Sequence, residues 1–251
     1  GQPALEALTV SPDGLTMWTA NEQALTCDGE ASDGNSTVST VVRLTRFTRE
    51  TQQDDWEAAG EWAYACDPCA SVSISQLASF SQCGLSGLCA LPDGSLLALE
   101  REVSTTTRGR CRIYRVTTGA LADATEVSEI ASLSGATYDA VAKGSCLLEF
   151  IGPQPSGGLL GPYEIIVYEG IALGPILNDG SRAVYLVSDG GEKKTKTGSL
   201  FGQTITVTAT TTNRLCALKL TGLGEDPPGV PPFLDWPEEP DTQITDAMGP
   251  I

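Results

Sequence analysis

One motif recurs three times and constrains the fold of this chain more than any other feature. It is a short apolar strand, a turn ending in Asp-Gly, a second apolar strand and a polar or acidic tip. Residues 5–22 read LEALTVSPDGLTMWTANE, residues 85–102 read LSGLCALPDGSLLALERE, and residues 168–190 read YEGIALGPILNDGSRAVYLVSDG. The pairs Asp13-Gly14, Asp93-Gly94 and Asp179-Gly180 predict hairpin turns, because Gly tolerates the positive φ that such turns require. The third copy predicts a turn about three residues longer.

Further strand-like stretches follow each copy. VVRLTRF (41–47) and EWAYAC (61–66) follow the first, CRIYRV (111–116) and TEVSEIASL (125–133) the second, and NRLCALKL (213–220) the third. Four antiparallel strands per unit, repeated, predict an all-β chain of β-propeller blades. The units start about 80 residues apart, from Glu6 to Ser86 to Glu169. Long loops must therefore separate strands, with 23–40, 134–162 and 190–212 as the candidates. The last carries GEKKTKTGSLFGQTITVTATTTN, a basic, Thr-rich insertion able to form its own hairpin, and 140–150 reads as a short helix. The expected organisation is blades over 1–220 and a tail over 221–251. That tail holds 7 of the 15 prolines, seven acids and no base, the composition of an extended partner-binding arm. About three blades are visible, whereas propellers close with roughly four to eight. Residues outside this sequence or another chain would complete the ring; an open stack of sheets is the alternative.

Composition narrows the chemistry. With no histidine among 251 residues, Ser-His-Asp and Cys-His catalysis and His-ligated zinc are excluded. Fifteen basic and 32 acidic residues give a net charge of −17, a surface that repels nucleic acid and anionic membranes but suits cations. No apolar run approaches the roughly 20 residues of a membrane span. Eight cysteines, at 27, 66, 69, 83, 89, 111, 146 and 216, predict several disulfides in an oxidising compartment. Cys66 and Cys69 form a CxxC, but no second pair supports a four-Cys zinc site. Asn35-Ser-Thr37 is an N-glycosylation sequon. GxSxG, P-loop and GxGxxG motifs are absent.

The motifs EALTVSPDG…WTANEQAL, GLSGLCALPDGSLLALERE…RIYRV and YEGIAL…VYLVSDG, closed by LCALKL, resemble the phytase-like ("esterase-like activity of phytase") β-propeller family. The resemblance covers about residues 4–220 and corresponds to the later half of the family domain. It implies a secreted, periplasmic or lumenal propeller with acids gathered at a channel, and a possible phosphoesterase activity.

In a propeller the first strand of each blade lines the channel. Glu6 and Glu169 stand at matching positions on those strands, where the second unit has Ser86; the second strands end in Asn21-Glu22, Glu100-Arg101-Glu102 and Ser188-Asp189. Glu6, Glu22, Glu100, Glu169 and Asp189 are the candidate ligands of a hard cation such as Ca²⁺, which takes six to eight oxygens. Glu6, Glu169 and Asp189 are the candidate catalytic acids. Against this, acids at strand ends are often solvated, and Glu100-Arg101 with Arg112 and Arg115 also reads as cross-strand ion pairing. The sequence therefore supports first an extracytoplasmic binding or assembly subunit of a larger complex. Its partner would be another protein chain, docked in part through the tail with Phe233 and Trp236. The alternative is a Ca²⁺-dependent phosphoesterase using the channel carboxylates.

Overall fold

The computed structural model describes residues 5–29, 40–69, 82–103, 109–151, 163–165, 167–189, 193–200, 203–211 and 213–221. The expected tail, with Phe233 and Trp236, and the Asn35 sequon lie outside them.

Three antiparallel sheets carry the three repeats. Blade 1 is β1 (Leu5–Val10), β2 (Thr16–Asn21), β3 (Val41–Thr48) and β4 (Glu57–Ala65), each bonded to the next. Blade 2 is β5 (Gln82–Ala90), β6 (Leu96–Val103), β7 (Arg110–Val116) and β8 (Leu148–Ile151). After β9 (Tyr163–Ile165), blade 3 comprises, among the described residues, β10 (Tyr168–Ile176), β11 (Arg182–Ser188) and β14 (Leu215–Leu220), three strands rather than four. The basic, Thr-rich insertion does form a hairpin, β12 (Lys193–Leu200) with β13 (Gln203–Thr211), and β9 pairs parallel to β13.

The Asp-Gly hairpins form as their turn chemistry requires. Gly14, Gly94 and Gly180 have φ of 75°, 81° and 79°, the left-handed region that other residues resist. Within each turn the Asp carboxylate accepts the amide two residues on, from Leu15, Ser95 and Ser181. The third turn is not longer. Leu177 donates its amide to Ser181 O just as Leu91 does to Ser95 O. The extra residues instead interrupt β10, whose register to β11 shifts between Leu173 and Ile176.

The blades stack face to face, with β1 beside β5 and β5 beside β10. Ala7, Trp18, Ala20, Leu44, Trp62 and Tyr64 of blade 1 meet Leu85, Leu88, Leu96, Ala98 and Val116 of blade 2. The opposite face of blade 2, with Leu97, Leu99, Cys111 and Ile113, packs on Val184, Leu186, Ile171 and Leu218 of blade 3. Blade 2 is thus apolar on both faces and reads as runs such as LLAL instead of alternating. Each fully buried Leu contributes about 1.5–3 kcal/mol.

The connection between β7 and β8 departs most from expectation. A short helix, α1 (Thr118–Asp123), is capped by the Thr117 hydroxyl, which accepts the Ala120 amide. Residues 125–133 are not the fourth strand of blade 2. They cross to the edge of blade 1, where Val127 donates its amide to Glu61 O, and a single bridge joins Glu126 to Trp62. Residues 140–150 are not a helix: Val141 donates its amide to Ala63 O at 2.8 Å, and the chain then returns to form β8 against β7. Val127 and Leu133 bury against Ala63. Arg43 fastens this strap, donating to Asp28, Glu61, Val127 O and Ile130 O. Burial alone would raise the Asp28 pKa, but the Arg43 guanidinium and the Leu133 amide outweigh it and hold it low.

The cysteines also correct the expectation of several disulfides. One forms, Cys69–Cys83, with Cα atoms 5.6 Å apart, tying the exit of blade 1 to the entry of blade 2. The other six are free thiols: Cys66, Cys89 and Cys111 are buried, and Cys27 and Cys146 are exposed. Burial pushes the Cys89 and Cys111 thiols up to about 12 and about 11. They are the small apolar residues of a core, not nucleophiles.

Candidate functional site

The inner strands share one irregularity. β1 shifts register between Leu5 and Ala7, β5 between Leu85 and Gly87, and β10 between Tyr168 and Gly170. The extra residue in each β-bulge is Glu6, Ser86 or Glu169, the positions that the repeat aligned. A bulge leaves its residue outside the ladder and re-aims its side chain, a device common next to functional sites. In the same register Asn21, Glu100 and Ser188 face Leu5, Leu85 and Tyr168, so Glu22, Arg101 and Asp189 occupy equivalent places after them.

That equivalence puts one cation among the acids. Arg101 forms an ion pair with Glu22 through Nη2, and its Nε stands 3.6 Å from Glu169 Oε1. Glu22 and Glu169 are therefore brought together, on a guanidinium. Glu6 and Asp189 are exposed at the same end of their blades. Ser86, the second bulge residue, donates its hydroxyl to Tyr168 O at 3.0 Å and links blade 2 to blade 3.

Glu100 lies elsewhere, buried between blades 1 and 2. Its carboxylate accepts from Tyr64 Oη at 2.8 Å, the Asp67 amide at 2.9 Å and Lys143 Nζ at 2.6 Å. Asp67 takes Lys143 at 2.5 Å, Arg112 at 2.6 Å and the Tyr114 hydroxyl at 2.5 Å. Burial opposes ionisation of Asp67, but Lys143 and Tyr114 hold its pKa below the usual carboxylate range. Burial, then the Glu100 charge, pushes Tyr64 and Cys66 well above their ordinary values. The result is a charge-paired ion network bridging two blades, in which Arg112 Nε is left without a hydrogen-bond partner among the described residues. Sequence reasoning missed Lys143 because it sits in the strap, and missed Asp67 as a mere member of the CxxC. Arg101 had a legible signal: it is the one base in the column of Glu22 and Asp189.

Among the described residues no three His, Cys, Asp or Glu side chains form a group that could hold a metal ion. Three of the five candidate ligands are engaged otherwise. The space between Glu22 and Glu169 already holds a guanidinium, and the Glu100 carboxylate is fully bonded. No catalytic step is derived through a metal.

Fold and site define an all-β protein of stacked, four-strand-type blades whose inner strands bulge at matched polar positions. The phytase-like family, described as "Esterase-like activity of phytase", matches residues 2–190, and the chain belongs to that family. No curated protein and no solved structure matches it. No helix of the described residues is long and apolar enough to cross a membrane.

Proposed function

We propose that the chain is an extracytoplasmic assembly module: an arc of propeller blades whose two outer faces are covered by further blades of a partner polypeptide, closing the ring. The observation that carries this reading is the apolar surface at both ends of the stack. On blade 1, Leu8 and Val10 are 66% and 43% exposed, whereas Ala7, which precedes them on the opposite face of β1, is buried against blade 2. On blade 3, Val187 and its ladder partner Leu215 are 53% and 61% exposed, whereas Leu186 is fully buried against blade 2. Faces built like the interior seams, yet bare, match a protein interaction surface. The tail with Phe233 and Trp236 is a second element for docking the partner, and the Cys69–Cys83 disulfide supports an oxidising compartment: secretion, periplasm or thylakoid lumen. Light scattering on the native protein tests it. The expected particle is heavier than the 26.2 kDa chain, and a stable, soluble 26.2 kDa monomer overturns it.

The bulged Glu6 and Glu169, with Asp189 at the same end, favour a second reading as an ester hydrolase, in keeping with the family description. Hydrolysis of p-nitrophenyl phosphate that survives a chelator and falls at least tenfold in Glu169→Gln supports it. No turnover by the assembled particle rejects it.

A further inference from the structure

At the end of the blade 1–blade 2 seam that carries the Asp-Gly turns there is a cavity of about 450 Å³. That is within the range of sites that enclose a small organic ligand, roughly 300–1,000 Å³. Its floor is aromatic. Trp18 and Trp62 are 4% and 7% exposed, with ring centroids 5.5 Å apart. Room for the Trp62 ring comes from Gly60, at φ 126°, where a Cβ would stand 2.8 Å from the indole. Pro12 of the blade 1 turn, Leu91 and Pro92 of the blade 2 turn and Leu121 of α1 make the apolar walls.

Arg46 is the cation of this cavity. It pairs with Trp18 across the β2–β3 ladder, and its guanidinium carbon stands 5.7 Å from the Trp18 ring centroid and 4.8 Å from that of Trp62. Nη2 donates to Ala59 O at 2.9 Å. Nε is buried with no hydrogen-bond partner among the described residues, and no carboxylate there pairs with the guanidinium. Two indole faces hold it in place and leave donors unused. A buried donor without an acceptor is costly, and a planar guanidinium fixed by stacking is preorganised to take a carboxylate or phosphate in a forked geometry. The Asp13 carboxylate at the rim is occupied by its own turn, accepting from Ser11 Oγ and the Leu15 amide. The hydroxyl-bearing Thr48 lies on the same wall as Arg46.

We propose that this cavity binds a small organic anion, with a carboxylate or phosphate head on Arg46 and a flat or apolar body between the two blade turns. The site is separate from the bulged acids and does not depend on the assembly reading. Titration of the native protein with benzoate and with phenyl phosphate, followed by tryptophan fluorescence, tests it; benzyl alcohol is the neutral control. Expected is saturable binding of at least one anion, tenfold or more tighter than benzyl alcohol; which of the two binds tells carboxylate from phosphate. Arg46→Gln should erase that tenfold difference. Ala122→Trp, which fills the cavity from an exposed rim position, should weaken the anion at least tenfold and decides alone should Arg46→Gln fail to fold. Equal binding of anions and benzyl alcohol, or anion binding unchanged in the folded variants, overturns the proposal.

Discussion

At one end of the seam between blades 1 and 2, Glu100 and Asp67 are paired with Lys143 and Arg112 and hydrogen-bonded by two tyrosines. At the other, Arg46 lies across two indoles and forms no ion pair among the described residues. The two ends share a strand: Tyr64 and Trp62 are two residues apart on β4. The difference teaches how one β-seam divides its labour. Where charge is buried and balanced the seam is a fastener, and its parts cannot be removed singly. Where a cation without a paired carboxylate stands beside a cavity, the seam is not closed and can accept something else.

The largest effect should come from breaking the balanced end. Lys143→Met removes the cation between Glu100 and Asp67 and strands a buried carboxylate, at a cost of about 3–5 kcal/mol. Chemical denaturation measures it. A loss under about 1 kcal/mol would mean that the network is solvated, and the contrast between the ends would vanish.

The same end should set the pH limits of stability. The folded pKa of Asp67 lies below its ordinary 3.8, so its contribution is present above that value and lost as pH falls below it. Tyr64 and Cys66 lie above their ordinary 10.0 and 9.0. The folded state thus keeps protons that the unfolded chain releases, and stability declines as pH rises beyond about 9. The melting temperature should form a plateau between these limits, and Cys66→Ala should weaken the alkaline decline. A profile flat to pH 11 would contradict the buried setting of both groups.

The smallest effect is expected at the open end. Arg46→Gln forfeits cation–π contacts and one bond to Ala59 O, but also removes an unsatisfied donor; the net change should stay within about 1 kcal/mol. A loss as large as that of Lys143→Met would make Arg46 a structural element like Arg43, only three residues away, and not a binding group.

Legibility in the sequence followed the range of the interactions. Asp13-Gly14, Asp93-Gly94 and Asp179-Gly180 announce their hairpins because two adjacent residues set the turn. The alignment of Glu6, Ser86 and Glu169 was visible, but the bulge at each was not: a one-residue slip depends on the partner strand. Leu173 to Ile176 show the same limit, since added residues were absorbed by a strand and not by the turn. The strap was hidden because Val127 and Val141 bond to a sheet more than 60 residues earlier, with no periodicity of their own. Trp18, Arg46 and Trp62 come from three strands, so no local pattern marks their cavity.

The strap has a consequence for how the repeats can be parted. Blade 2 acquires β8 only after the chain has travelled to blade 1, passed under the Arg43 clamp and come back. The Cys69–Cys83 bond closes the same pair a second time. These two repeats are therefore not beads that could be excised, duplicated or exchanged one by one. They form a single unit of inheritance and of unfolding, and a cut anywhere between Ala65 and Leu148 should release both. Blade 3 lies beyond that stitch, packed among the described residues on blade 2, and is the element free to be lost, replaced or opened first.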